Sequence, residues 1–203
     1  MENEINLTQH QPVVKNGISY TVKVVSPSET VTPLQVVCFV DFTKNQHYEG
    51  GTNAVNQHFN GAIQDVRQSG IFKGNELETL LITPVLKQIP AQRLLLVGLG
   101  DPDTLNLDLF NRVGYSVVLE ALKLGVSNLC FAPSIKDAGL SGFAASDVSK
   151  ALAQGMDRAV EVVTILHQKN LAPYILLKEV LLLAGQPQAD NAYRGLQEAF
   201  ILV

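Results

Sequence analysis

No run of basic residues occurs anywhere in the sequence, and 15 Lys and Arg against 19 Asp and Glu leave a net charge of −4. Without a basic stripe there is no surface for a phosphate backbone, so no nucleic acid is expected as a partner. No apolar run approaches the roughly 20 residues of a membrane span. The polar segment Met1 to Gln11 also lacks the apolar stretch of a leader peptide. The expected location is therefore the cytoplasm, with no membrane partner. Cysteine is scarce: Cys38 and Cys130 each sit inside an apolar run, where a buried, reduced thiol is the expected state.

Several chemical signatures are missing as well. There is no GxxxxGK[ST] loop, no HExxH, and no pair of Cys or His at metal-ligand spacing. The histidines His10, His47, His58 and His167 are scattered and are expected on the surface. Ser141, in Gly139-Leu140-Ser141-Gly142-Phe143, lacks the preceding buried strand that a nucleophile elbow needs. Gly98-Leu99-Gly100 offers two glycines of a dinucleotide fingerprint, but Asp103 stands at the third position and the acidic residues there would repel a pyrophosphate. A structural turn is the simpler reading. Asp101, Asp103 and Asp108 lie near one helix start, where the helix dipole accounts for them without catalysis.

What is present is a repeating order of apolar strands and amphipathic helices. With 203 residues, 46% of them apolar, the chain can bury one proper core. Arg93 to Val97 followed by Gly98-Leu99-Gly100-Asp101-Pro102 reads as a strand covered on both faces and closed by a tight turn. Leu34 to Val40, Asn128 to Ala132 and Glu179 to Ala184 have the same character, and Glu78 to Pro84 is a further strand candidate. Ile18, Tyr20, Val22 and Val24 alternate with polar residues, as in a hairpin or edge strand. Helical spacing marks residues 55–66, ended by Gly70; 104–124, capped by Asp103 or Thr104; a long helix over 148–166, capped by Ser146 or Asp147; and a last helix from about Gln188. Such alternation implies an α/β fold of three layers, a largely parallel or mixed sheet with helices on both faces, Rossmann-like in the broad sense. A single domain over 1–203 is expected, with residues 1–16 flexible or peripheral. Ligands of such sheets gather at the carboxyl ends of the strands, here the loops Asp41 to Asn53, Gly98 to Asp103 and Pro133 to Gly142.

The ordered set Gly70-Ile71-Phe72-Lys73-Gly74, Glu78-Thr79-Leu80-Leu81, Arg93 to Gly100, Ala121-Leu122, Ala151 to Gly155 and Leu177 to Leu183 resembles the N-terminal domain of the leucine aminopeptidases. The resemblance runs from about residue 18 to the end. It implies a macro-domain-like fold and a role in assembling an oligomer. Peptidase chemistry in that family belongs to a separate C-terminal domain, where lysine, aspartates and a glutamate hold two zinc or manganese ions. No residue of this sequence matches those ligands or the catalytic arginine, so the resemblance implies neither a catalytic residue nor a metal or other cofactor, and a domain standing apart from the catalytic one is expected. Macro domains often bind ADP-ribose, and their Asn-Ala-Ala-Asn stretch has a distant echo in Asn53-Ala54-Val55-Asn56. The candidate ligand-binding residues are accordingly Asn53, Asn56, Gly98, Gly100 and Asp101.

Three readings stand side by side: a non-catalytic assembly or regulatory module, a small-ligand (ADP-ribose or nucleotide-like) binder, and an enzyme, either one part of a split aminopeptidase or an ADP-ribose hydrolase. The first is favoured. The apolar run Ala199 to Val203 cannot all face its own sheet, so a homo-oligomer with this segment in the interface is expected, and a separate catalytic chain is a possible partner.

Overall fold

The structure, a computed structural model, describes residues 10–46 and 49–201. Five central strands are parallel: β2 (Ile18–Lys23), β3 (Gln35–Val40), β5 (Leu94–Gly100), β6 (Asn128–Ala132) and β7 (Glu179–Leu183). The edges are antiparallel, β1 (Val13–Lys15) on β2 and β4 (Thr79–Ile82) on β5, so the order across the sheet is β1-β2-β7-β6-β3-β5-β4. β3 and β5 are buried at every position, as expected of strands that carry side chains into cores on both faces. Val36, Cys38 and Val40 enter one core and Val37 and Phe39 the other. Both cysteines are free and buried, and burial alone pushes the Cys38 thiol far above its ordinary range.

The larger core lies under α3 (Leu107–Lys123), α4 (Ala145–Gln168) and α5 (Ala189–Phe200). The helix pair α3 and α4 crosses with little space between backbones: a Cβ on Gly114 would lie 2.2 Å from the carbonyl oxygen of Leu152, and one on Gly155 1.8 Å from that of Asn111. The opposite face is covered by α1 (Gly50–His58) and α2 (Ala62–Gln68), with Val55, Phe59, Ile63 and Phe72 against Val37, Phe39, Leu94 and Leu96. The single helix expected over 55–66 is two, because the chain breaks at Asn60 and Gly61, both with positive φ. Asn56 bridges the break, its Oδ1 accepting the Gln64 N–H at 3.0 Å.

Other expectations are corrected. The cap of α3 is Asn106, whose Oδ1 accepts the Leu109 N–H at 2.9 Å, rather than Asp103 or Thr104. Those residues belong to a short 3₁₀ turn, Pro102–Thr104, capped by Asp101. Neither Ser146 nor Asp147 caps α4; the N-cap position is Ala144, and both lie inside the helix, where the Ser146 backbone packs against Gly195 of α5. His10 is not a surface residue. Its ring is buried, stacks on Tyr193 at 4.4 Å between centroids, and meets Asp190 Oδ1 at 3.0 Å, which fastens the chain before β1 to the first turn of α5. His58 and His167 are exposed, and His47 lies outside the described residues. At the other end of α5, Phe200 packs on Tyr20 (4.9 Å), Ile201 is exposed, and Leu202 and Val203 lie outside the described residues.

Candidate functional site

The carboxyl ends of the parallel strands form one rim, and its two halves differ. On the β3 and β5 side the segment Lys73 to Glu78 folds over the strand ends. Glu78 organises it: its carboxylate accepts the N–H groups of Lys73, Gly74 and Asn75, at 2.9 Å for the last two. Gly98 and Gly100 exist for this packing. A Cβ on Gly98 would sit 1.9 Å from the Asn75 carbonyl oxygen, and Gly100 (φ +74°) lies against Glu76. Behind them Arg67, 2% exposed, donates to the Val40 carbonyl at 2.7 Å and stacks on Phe39 and Phe42. Asp101 faces outward, accepting the Asp103 N–H at 3.0 Å and pairing with Lys44 at 3.4 Å. The Asp103 N–H, more than Lys44, holds its carboxyl below the usual carboxylate range.

On the β2, β6 and β7 side nothing among the described residues covers the rim, and a cleft of about 620 Å³ remains. Its floor is the last residues of β6 and β7, and its walls are Val24 to Pro27, the Pro133 to Asp137 loop and the starts of α1, α4 and α5. Apolar side chains dominate, among them Val24, Ile135, Phe143, Leu152 and Leu182. The Pro133 to Asp137 loop is tied to α1 by the Glu49 N–H, which donates to the Asp137 carbonyl at 2.8 Å. The Asp137 carboxylate then lies on the first turn of α1, where Oδ2 accepts the Thr52 N–H at 3.0 Å and Gly51 adds a second backbone donor. Burial raises the Asp137 carboxyl above its ordinary value despite these donors, and the charge of Glu49 acts in the same direction.

The candidate ligand residues are thus not gathered in one place. Gly98, Gly100 and Asp101 belong to the covered half, Asn56 joins α1 to α2, and Asn53 is half-buried on α1; none of the five lines the cleft. Two of the three loops singled out from the sequence do reach it, through Gly50 and Gly51 and through Pro133 to Asp137. The segments Val24 to Glu29 and Ala184 to Gln188 were not read as part of a site, although they follow directly on the ends of β2 at Lys23 and β7 at Leu183. Among the described residues, no three His, Cys, Asp or Glu side chains are placed to hold a metal ion, and no helix is long and apolar enough to cross a membrane.

This architecture, a seven-stranded mixed sheet with helices on both faces and a cleft at the strand ends, is macro-domain-like. Its resemblance to an Oceanobacillus iheyensis macrodomain with MES bound has a TM-score of 0.63 at 12% identity, over 93% of this chain and 95% of that one. A mutant of tomato leucine aminopeptidase matches equally well in fold, TM-score 0.63 at 17% identity, over 93% of this chain and 37% of that one. Residues 36–169 match the N-terminal domain of the cytosol aminopeptidase family, and the chain belongs to that family. A probable cytosol aminopeptidase of Thermosynechococcus vestitus is 29% identical over 148 residues, 71% of this chain and 28% of that protein. The chain therefore spans little more than a quarter of that relative's length.

Proposed function

We propose that the chain acts as an assembly module in a cytosol-aminopeptidase type of protein and does not itself carry out peptide hydrolysis. One observation carries this reading. Val31, Val85 and Leu86 are 82%, 87% and 82% exposed. All three lie at the end of the sheet opposite the cleft, Val31 ahead of β3 and the other two just beyond β4, the strand whose outer edge pairs with no other among the described residues. Leaving one such side chain in water forgoes roughly 1.5–3 kcal/mol, and an open strand edge beside them is a ready surface for another chain. A second copy of this chain is the partner.

Light scattering at micromolar concentration tests it. The wild-type chain should run as a dimer or larger, and the double variant Val85→Asp, Leu86→Asp as a monomer with unchanged circular dichroism. A wild-type monomer at about 100 μM, or a double variant still fully associated, would overturn the reading.

A further inference from the structure

Assembly through the far end of the sheet leaves the cleft at the β2, β6 and β7 ends without a use. We propose that this cleft is a binding site for a small molecule with an apolar body and a primary amine, its ammonium on Asp137 and its body against Val24, Leu152 and Leu182. The size is right: about 620 Å³ falls within the range of small-molecule sites. The lining is also of the right kind, mostly apolar walls with a few polar groups.

The charge follows from what occupies the helix starts. Backbone N–H groups at a helix N-terminus attract anions, and those of α1 border the cleft beside Asp137. They are already taken: Thr52 and Gly51 donate to Asp137, and Oδ1 lies so close to Gly50 that a Cβ there would come within 2.4 Å. Helices α4 and α5, which also begin at the cleft, carry Asp147 and Asp190 in their own first turns. An incoming phosphate or carboxylate thus meets filled donors and the Asp137 charge at α1, and acidic residues in the first turns of α4 and α5. A cation meets the reverse. The lining holds two carboxylates, the exposed Glu29 and the half-buried Asp137, against one ammonium, the exposed Lys136. Asp137 is also under-compensated, its carboxyl raised by burial with Glu49 adding to the effect. A charge-assisted hydrogen bond from an ammonium relieves both, while Leu152 and Leu182 remove the alkyl chain from water.

A matched series tests the charge and the place together. The chain is titrated with hexylammonium, 1-hexanol, hexanoate and ADP-ribose, and ¹H–¹⁵N spectra follow the amides of residues 50–52 and 134–137. Hexylammonium should shift those amides and bind at least about tenfold more tightly than hexanoate, with hexanol between and ADP-ribose no better than hexanoate. Asp137→Asn should reduce the preference for hexylammonium over hexanol to about one while hexanol binding stays as it was. Hexanoate or ADP-ribose binding as tightly as hexylammonium would overturn the proposal. So would shifts confined to residues outside the cleft, or no shifts at all up to millimolar ligand. The ranking on the wild-type chain decides the matter even if the variant does not fold, and a monomeric protein passes or fails it as an oligomer does.

Discussion

The two halves of the rim show how one sheet can close some of its strand ends and leave others open. In both, a carboxylate sits where backbone N–H groups converge: Glu78 on Lys73 to Asn75, Asp137 on Gly51 and Thr52. Beside Glu78 the chain packs down on Gly98 with no room for a Cβ, whereas beside Asp137 the walls stand apart around about 620 Å³. A capped set of donors is therefore not what distinguishes the open half from the closed one. The distinction is whether a second segment fills the space above the strand ends.

The sharpest way to break the contrast is to add a methyl group on each side. Gly98→Ala places a Cβ 1.9 Å from the Asn75 oxygen, a backbone clash at the upper end of overpacking costs, about 3 kcal/mol. Thermal unfolding should drop by about 6–12 °C on that basis. Gly185→Ala, at the cleft, meets nothing nearer than Pro187 at 3.9 Å and should change stability by less than about 0.5 kcal/mol. Equal losses at both positions would erase the distinction between a closed and an open half.

Next in size is Glu78→Gln. The carbonyl oxygen of glutamine can replace one carboxylate oxygen, but not the charge that serves three N–H groups. The site is half-exposed, so urea denaturation should show a loss of about 1 kcal/mol.

The smallest effects, and the most diagnostic, are in pH. Asp137 has a raised carboxyl because it is buried, so its contribution to stability is present below about pH 4 and is lost as pH rises through the raised folded value. Asp101 has a lowered one because the Asp103 N–H bonds to it, so its contribution is present above about pH 4 and is lost as pH falls through the depressed value. Urea denaturation from pH 3 to 7 should show wild type losing ground to Asp137→Asn as pH rises and gaining on Asp101→Asn. Slopes of the same sign for the two variants would show that their surroundings do not differ as described.

Much of the fold was legible because it depends on local pattern. Val36 to Val40 and Leu94 to Val97 are apolar at every step, which suits only a strand covered on both faces. Their flanking helices declare themselves by Val113, Val117 and Ala121, or Leu152, Met156 and Ala159, at helical spacing. Helix starts were less legible. Asn106 and Asp103 are equally good caps by composition, and the choice was made by where the 3₁₀ turn ended. His10 could not be placed from its polar neighbourhood, since what buries it is Tyr193, far along the chain.

The sequence by itself determined the alternation of strands and helices, the burial of β3 and β5, and the kinship with the aminopeptidase N-terminal domain, all of which rest on residues near one another in the chain or on their order. Only the tertiary structure decided which strand ends stay open. That depends on Asp137 meeting Thr52 across 85 residues and on the 73–78 segment lying over Gly98, contacts that no periodicity encodes. A hydrophobic pattern specifies which face of an element is buried, but the space left between loops is settled by the arrangement of the elements.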